Sequence, residues 1–347
     1  MKIISRKELG TELFLYNRCI DIAMNEIYKN IYQIDVTLPK SPLKLLHSYL
    51  IKGDKRNLLI DTGFNNQRCK DDLLQALYEL NIDLDYTDIF LTHLHSDHTG
   101  LICSLLTGKN KVYCSDIDGK LMNSLVDEKF KDVINLNLDI TATPMDKRVD
   151  FKSHPAIAYK LDNEVSYVPV SEGHVFELGE YKFKVVDLSG HTPGQCGLYE
   201  ENHKILFCGD HILNKITPNI IFWGYEMDSL QIFIDNLEKV KGMDIKHLYS
   251  SHRDTIENPA KRIDEILLHH KDRLNEVINI IGDESKTAYE VAQKMSWDYG
   301  DGDFNNFATQ QVWFAVSEAL AHVEHLRHKN ILEKIVVNNI IKYKKMI

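Results

Sequence analysis

The 347-residue sequence lacks the features that mark secreted and membrane proteins. Its six cysteines are widely spread and form no C-x-x-C pair, which is typical of reduced thiols in a cytoplasmic protein. No apolar run is long enough to cross a membrane. The first thirty residues carry scattered charges and lack the apolar core and cleavage site of a signal peptide. We therefore expect a cytoplasmic protein without a membrane partner.

Positive charge is also scarce. The chain has 41 lysines and arginines against 51 aspartates and glutamates, and its formal charge is −10. This balance disfavours an extended nucleic-acid surface, although a local basic patch is compatible with it. Apolar residues make up 44% and charged residues 27%, as is ordinary for a globular protein. No internal repeat and no low-complexity segment is visible in the sequence.

Short strand-like runs alternate with helical segments from about residue 32 to residue 258. The runs YQIDVTLP, KLLHSYLIKG and RNLLIDTG are β-rich and bounded by turns, and CKDDLLQALYELNI has apolar residues at helical spacing. The alternation recurs later, with strands such as KILFCGD and a helix at SLQIFIDNLEKVKG. Two rounds of this pattern predict two sheets that face each other, with helices outside.

The pattern changes after Pro259. A long amphipathic helix is predicted over 260–281, followed by helices over 286–296 and 308–328 and a strand-like tail. The sequence thus predicts an N-terminal extension (1–31), a main domain (32–258) with an insertion (115–165), and a mostly helical C-terminal region (259–347).

The stretch FLTHLHSDHTG, residues 90–100, places four candidate metal ligands in six positions directly after a strand-like run. His93 and His95 are two residues apart, so an extended backbone directs both rings to one side. Asp97 and His98 lie in the turn that follows and can address a second ion nearby. Zinc and similar ions bind imidazole nitrogen and carboxylate oxygen. The cluster therefore predicts a metal site.

Three more candidate ligands follow apolar strands later in the chain. His191 lies on a glycine-flanked turn in DLSGHTPGQ, Asp210 ends LFCGD, and His252 ends LYSSH. Site residues often lie at such strand ends, because the strands form a rigid scaffold. Each residue alone fits an ordinary turn, but together they extend the predicted metal site.

In order and spacing, the motifs LLIDTG, THLHSDHTG, GHTPGQ, FCGD and SSH resemble those of the metallo-β-lactamase-fold hydrolases over about residues 32–258. The resemblance implies an α/β fold, an αββα sandwich with two metal ions along one edge. It also implies a role for Asp61 of LLIDTG, which would orient a ligand histidine. The implied ligands are His93, His95 and His191 for one ion, Asp97, His98 and His252 for the other, and Asp210 between them.

The resemblance implies a metal-dependent hydrolase with two divalent ions. Zinc is the default, and iron or manganese fits the same ligands. Two such ions, about 3.5–4 Å apart, lower the pKa of a bridging water and leave hydroxide at neutral pH. They also polarise the oxygen of the electrophile. Asp97 and Asp210 are then the catalytic carboxylates, and Asp97 could also shuttle a proton.

The substrate class is less well defined by sequence. A full histidine set with Asp210 resembles the glyoxalase-II-like thioesterases, the lactonases, the phosphodiesterases and the nucleases more than the true β-lactamases. Leu213 stands where acyl-homoserine lactonases carry a tyrosine, so the lactonase signature is incomplete. We expect a small-molecule ester, thioester or lactone as substrate. The alternatives are a metal-dependent ribonuclease or phosphodiesterase, and a metal-bearing sensor or partner-binding module without activity.

The C-terminal region resembles the winged-helix-like unit of lactamase-β-like proteins, some of which are endoribonucleases. Residues 260–347 hold 12 lysines and arginines against 13 aspartates and glutamates, whereas phosphate binding needs clustered cations. Nucleic acid is therefore a disfavoured partner. We expect this region to dock near the pocket mouth, and a homodimer is compatible with the sequence.

Three further residues are candidates for substrate binding. Trp223 and Tyr225, in IIFWGYEMD, could form part of the pocket wall or pack in the core. Arg253 directly follows His252 and could stabilise an anionic group of the substrate, or pair with an acid such as Asp254. The insertion 115–165 would form a lid over the metal edge.

Overall fold

The strand-like runs of the first half form one mixed sheet. The computed structural model of the chain describes residues 23–127 and 130–346, so residues 1–22 of the predicted extension lie outside the described part. Seven strands lie side by side in sequence order; the first four pair antiparallel and the others parallel. They are Met24–Tyr28 (β1), Ile31–Thr37 (β2), Leu45–Ile51 (β3), Asn57–Ile60 (β4), Thr87–Phe90 (β5), Val112–Ser115 (β6) and Val168–Val170 (β7).

The second sheet has five strands. Four of them form antiparallel pairs, and the last lies parallel to its neighbour. They are Val175–Leu178 (β8), Tyr181–Asp187 (β9), Cys196–Glu200 (β10), Ile205–Gly209 (β11) and His247–Ser250 (β12).

Helices cover the outer faces of both sheets. Those of the main domain are Gln67–Glu79 (α1), Ser96–Thr99 (α2), Ile102–Leu105 (α3), Asp116–Ser124 (α4), Phe130–Ile140 (α5), Pro155–Ala158 (α6) and Ser229–Lys241 (α7). Single 3₁₀ turns lie at Leu84–Tyr86, Met145–Lys147, Phe151–Ser153 and, in the C-terminal region, Phe304–Asn306.

Four apolar clusters hold these layers together. One lies between the sheets and includes Tyr49 and Phe90 of the first sheet and Phe183 and Phe207 of the second. In a second cluster α1 packs on the outer face of the first sheet, and in a third α7 packs on the second sheet. The predicted αββα arrangement is confirmed, and hydrophobic burial between layers is its main source of stability.

The C-terminal region contains three helices and a hairpin. The elements are Pro259–Ile281 (α8), Ala288–Ala292 (α9), Thr309–His328 (α10), Leu332–Val337 (β13) and Ile340–Lys345 (β14). The predicted strand-like tail is divided into two strands by Asn338 and Asn339, whose φ angles of 52° and 63° suit a tight hairpin turn. These elements form the fourth apolar cluster, around Leu320, Val323 and Tyr343.

Helix α9 is shorter than the helix predicted over 286–296. Thr287 and Glu290 form a capping box that fixes its start. At the other end, the indole N–H of Trp297 donates to the carbonyl oxygen of Ala292 at 2.9 Å, so a side chain satisfies a carbonyl at the helix end. No helix within the described ranges is both long and apolar enough to span a membrane.

Candidate metal centre

Each of the seven predicted ligands follows a strand. The ligands of THLHSDH follow β5 of the first sheet and run into α2, and His191 follows β9 of the second sheet. Asp210 and His252 follow β11 and β12, which are parallel neighbours. Strand ends from both sheets therefore meet at one edge of the sandwich. Three groups have ligand atoms within 4.8 Å of one another: His93, His95 and His191; His93, His98 and Asp210; and Asp97, His98 and His252.

Three imidazole nitrogens converge in the first group. His93 Nε2 lies 3.0 Å from His95 Nδ1, which lies 3.2 Å from His191 Nε2. Nitrogens bound to one zinc ion at about 2.0–2.1 Å are about 3.0–3.4 Å apart. The spacing therefore suits the ligands of a single ion.

Carboxylate oxygens and imidazole nitrogens converge beside this group. His252 Nε2 lies 3.3 Å from Asp97 Oδ2 and 3.5 Å from Asp210 Oδ1, and His98 Nε2 lies 3.7 Å from the same Asp210 oxygen. The other oxygen of Asp210, Oδ2, is 3.9 Å from His191 Nε2. Asp210 thus presents one oxygen to each set of histidines, as a bridging ligand would.

Buried atoms without partners test whether cations fit this site. His98 Nε2, His252 Nε2 and Asp210 Oδ1 are buried and accept no hydrogen bond from any described residue. Such atoms destabilise a fold unless another group satisfies them. A divalent cation takes a lone pair from each of the three, so the residues present fit the metal ions implied by the sequence.

The second ring nitrogens of these histidines bind groups outside the site. His98 Nδ1 donates to Asp61 at 2.8 Å, and the Nδ1 atoms of His191 and His252 donate to backbone carbonyls at 2.8 and 2.7 Å. With the proton on Nδ1, each ring keeps its lone pair on Nε2, which faces the site. The surroundings therefore fix the tautomer that metal binding requires.

Asp61 lies at the end of β4 and serves both sets of ligands. Its Oδ1 accepts the Thr92 amide at 2.8 Å, and its Oδ2 accepts both the Thr92 hydroxyl and His98 Nδ1 at 2.8 Å. The Thr92 hydroxyl in turn accepts a hydrogen bond from His93 Nδ1 at 3.0 Å. One buried carboxylate thus orients a histidine of each set.

Gly209 permits the close approach of β11 to this network. Its φ is 56°, and a Cβ atom at this position would lie 2.9 Å from the side chain of Thr92. Any other residue would be strained in the left-handed region and would displace Thr92. The backbone conformation and this close contact explain why a glycine precedes Asp210 in FCGD.

The electrostatics of the cluster favour added positive charge. Burial, followed by the charge of the neighbouring histidines, lowers the pKa of His95 to about 3. Burial also lowers the pKa of His98, but the adjacent carboxylates of Asp61, Asp97 and Asp210 outweigh it and hold that pKa well above its ordinary value. Buried carboxylates thus attract a proton onto a buried imidazole, and a metal cation would supply that charge instead.

Asp118 is a site residue that the sequence did not indicate. Its Oδ2 accepts the Leu94 amide at 3.1 Å and the Thr192 hydroxyl at 2.6 Å, and its Oδ1 accepts the Gly194 amide at 2.7 Å. Burial raises the pKa of Asp118 to about 6, although these three donors oppose the shift. The carboxylate ties the THLHSDH stretch to the loop after His191.

The C-terminal region also reaches one of the predicted ligands. The carbonyl oxygen that accepts from His191 Nδ1 belongs to Asn219. The Asn219 side chain donates to Glu318 Oε2 on α10 at 2.7 Å, and Arg273 on α8 donates to Glu318 Oε1 at 3.1 Å. A hydrogen-bonded chain therefore runs from the two long C-terminal helices to one predicted ligand.

A cavity of about 310 Å³ opens at the metal edge. It is lined by four predicted ligands, His95, Asp97, His191 and Asp210, and by residues 154–156 of the predicted lid. Its remaining wall is mostly apolar and includes two residues of α10. These apolar residues are Pro42, Leu43, Phe64, Leu94, Leu213, Ile216, Pro218, Ile221, Trp223, Trp313 and Phe314.

Of the three predicted substrate-binding residues, only Trp223 lines this cavity, and its indole N–H donates to the backbone carbonyl of His191 at 3.1 Å. Tyr225 does not line this cavity; it packs against Phe222 and lies under the ammonium group of Lys334 in the C-terminal region.

Arg253 does not line this cavity either. Its backbone has a φ of 69°, its carbonyl accepts a hydrogen bond from His47, and its side chain lies in a different cavity. The alternative ion pair with Asp254 is not formed either, because Asp254 pairs with Lys215 at 2.5 Å.

The fold and the ligand groups define a class of metal-dependent hydrolases. The sequence model of the metallo-beta-lactamase superfamily matches residues 46–252, and the chain belongs to this superfamily. The predicted resemblance is thereby confirmed.

Individual relatives agree with this assignment. The chain is 22% identical over 257 residues to a beta-lactamase-like protein 2 homolog of Caenorhabditis elegans, covering 73% of the chain and 71% of the relative. It is 23% identical to an atrochrysone carboxyl ACP thioesterase of Emericella nidulans, but spans only 55% of that protein. The fold matches the crystal structure of a metallo-beta-lactamase family protein of Thermus thermophilus, with a TM-score of 0.78 and 23% identity over 92% of this chain and all of that one.

Proposed function

We propose that this hydrolase uses two divalent metal ions, zinc by default, to cleave small-molecule esters, thioesters or lactones. The composition of the cavity carries the proposal. It is small and mostly apolar. Among the described residues, the only carboxylates that line it are those of the predicted ligands Asp97 and Asp210, and no lysine or arginine does. Such a cavity suits an uncharged acyl group next to the metal edge.

The same observation disfavours a nuclease. A protein that binds a polynucleotide neutralises phosphates with lysine and arginine side chains. The cavity offers none among the described residues, and the C-terminal region is nearly neutral in charge. The thioesterase named among the relatives supports an acyl substrate, although the chain matches little more than half of that protein.

Each ion would have three ligands of its own and one ligand in common. His93, His95 and His191 would hold one ion, Asp97, His98 and His252 the other, and Asp210 both. Bound divalent ions supply an activated water molecule and polarise the carbonyl oxygen of the substrate. Burial raises the pKa of Asp97, but the adjacent His98 and His252 outweigh it and bring the pKa to about 2. Asp97 is thus ionised at neutral pH, and it can accept a proton from water and pass it to the leaving sulfur or oxygen.

Metal content and turnover test this proposal together. Protein reconstituted with zinc should hold two ions per chain and hydrolyse activated thioesters, esters or lactones. Single-stranded RNA, offered at low and high salt, should stay intact. An Asp210→Asn variant should bind fewer than two ions and lose at least about a hundredfold in kcat/KM, because asparagine has no negative charge and only one oxygen where aspartate has two.

Asp228→Asn is the matched control. Asp228 caps α7 outside the ligand groups, and asparagine is an equally good cap, so this variant should keep its metal and its activity. Salt-sensitive cleavage of RNA without ester hydrolysis would contradict the proposal. So would two bound ions with no turnover of any substrate offered.

A further inference from the structure

Two side chains that line the cavity carry buried N–H groups with no assigned role. His154, at the start of α6, and Trp313, on α10, both line the cavity and are only 3% and 5% exposed. His154 Nε2 and Trp313 Nε1 have no hydrogen-bond partner anywhere in the described ranges. Buried polar groups are rarely left unpaired, so each is a candidate for contact with a bound molecule.

The position of His154 at the start of α6 fixes its tautomer. Its Nδ1 accepts a hydrogen bond from the amide of Ala156 at 3.3 Å, so the side chain caps the helix. A neutral imidazole that accepts at Nδ1 carries its proton on Nε2. Burial lowers the pKa of His154 to about 4, which keeps the ring neutral at physiological pH. His154 Nε2–H is therefore a neutral donor.

The rings that carry the two donors are neighbours, although they come from separate parts of the chain. The ring centroids of His154 and Trp313 are 4.4 Å apart with an interplanar angle of 87°. The segment that carries His154 is also tied to the metal loop, because the hydroxyl of Ser96, between two predicted ligands, donates to the carbonyl oxygen of Pro155 at 3.1 Å. The pair is thus held in the same cavity as the predicted ligands.

We propose that His154 and Trp313 together bind a carbonyl oxygen on the acyl chain of the substrate, at a distance from the bond that is cleaved. This inference rests on the proposed function and specifies its substrate class as acyl esters or thioesters with an oxo group in the chain. An uncharged oxygen fits, because both donors are neutral and no described lysine or arginine lines the cavity to pair with a carboxylate at this position. The indole and imidazole N–H groups would each contribute one hydrogen bond.

Acyl thioethers test the inference without turnover. In these probes a methylene group replaces the thioester carbonyl, so the zinc-loaded enzyme cannot cleave them. One series keeps a fixed chain length and moves a keto oxygen along successive carbons, and the reference probe has no keto group. The wild-type protein should bind one position about tenfold more tightly than the reference, because two otherwise unpaired donors gain a partner.

Two variants remove one donor each and keep the surrounding structure. His154→Asn retains a side-chain oxygen that can cap α6 but cannot place an N–H at the position of Nε2. Trp313→Phe keeps an aromatic ring, and loses the indole N–H together with the volume of the second ring. Each variant should lose most of the preference for the keto probe. Tyr225→Phe is the control, since it removes a buried hydroxyl that has no described hydrogen-bond partner and lies outside the cavity; it should keep the preference.

The outcomes separate this inference from the proposed function. A wild-type protein that binds every probe equally, or binds none, overturns the inference, and so does a keto preference that persists in both variants. Thioester hydrolysis without any preference for a keto probe would support the proposed function and contradict the inferred role of the donor pair. Tighter binding of a keto probe without hydrolysis of the matching thioester would contradict the proposed function and support the donor pair. Thermal melts of each variant check that altered binding does not reflect unfolding.

Discussion

Asp61 combines a left-handed backbone with four hydrogen bonds, and both follow from its place at the end of β4. Its φ is 58°, a conformation that aspartate tolerates better than most residues. Its oxygens accept from the amide and hydroxyl of Thr92, from His98, and at 3.4 Å from the hydroxyl of Ser251. The strained turn thus brings one carboxylate within reach of residues that follow two other strands, β5 and β12.

We expect an Asp61→Asn variant to bind metal about 10–100-fold more weakly, mainly at the ion next to His98. The amide group of asparagine would direct N–H bonds toward groups that are themselves donors, so His98 would lose its acceptor. Competition between the protein and a chromogenic chelator measures the affinity.

Asp88→Asn is the matched control for Asp61. Asp88 is a buried carboxylate on the same sheet, and it pairs with Arg56 at 2.6 Å. Its loss should lower the free energy of unfolding without changing metal affinity. Equal effects of the two substitutions on metal binding would show that Asp61 acts only through general stability.

The sequence could predict the candidate ligands because they occupy short motifs that follow apolar strands. It could not indicate His154 and Trp313, since neither belongs to a motif and their pairing depends on how α10 lies against the insertion. Asn219 was missed for another reason: its backbone carbonyl binds His191, and a backbone contact leaves no mark on residue type. Asp118 comes shortly after β6, as the predicted ligands come after their strands. The rule that site residues follow strands could therefore have indicated Asp118 as well.

At the scale of elements, α10 is the helix that connects the C-terminal region to the metal edge. Trp313 and Phe314 on its first turns line the cavity, and Glu318 one turn later binds Asn219. The sequence predicts the C-terminal region near the pocket mouth, but apolar spacing does not reveal which of its helices reaches the cavity. In the structure, Ile263 and Ile266 of α8 pack against α7 and the second sheet instead.

A Glu318→Gln variant should weaken binding of the ion held by His191 by about tenfold. Glutamine can accept from Asn219 or from Arg273 but cannot accept from both, so either the carbonyl that orients His191 shifts or a buried arginine loses its partner. Zinc affinity measured against a competing chelator gives the readout.

Glu324→Gln serves as the control for Glu318. Glu324 is a buried carboxylate on the same helix, and it binds Arg327 at 2.6 Å and the hydroxyl of Tyr343 at 2.5 Å, away from the cavity. This variant should lose stability and keep its zinc affinity. If both variants bound zinc as the wild type does, the chain from α10 to His191 would have no effect on the metal centre.

At the scale of the whole molecule, three of the four apolar clusters formed by the described residues join the C-terminal region to the rest of the chain. Trp313 belongs to the cluster outside the first sheet, Ile263 and Ile266 belong to the cluster outside the second, and Phe222 of the main domain belongs to the C-terminal cluster. Arg262 adds polar contacts, because it donates to the carbonyl oxygens of Leu213 and Ile216 at 2.7 and 2.8 Å. Shared clusters of this kind favour cooperative unfolding.

We therefore expect one thermal transition, with zinc released at the same temperature. Leu320→Ala, in the centre of the C-terminal cluster, should remove about 2–5 kcal/mol and lower the single transition by several degrees. Leu268→Ala, on α8 and 56% exposed, should leave it unchanged. Calorimetry gives the transition, and a chromogenic chelator reports the zinc. If Leu320→Ala shifted only an early transition and zinc left at the wild-type temperature, the C-terminal region would unfold independently and could not be required for an intact metal centre.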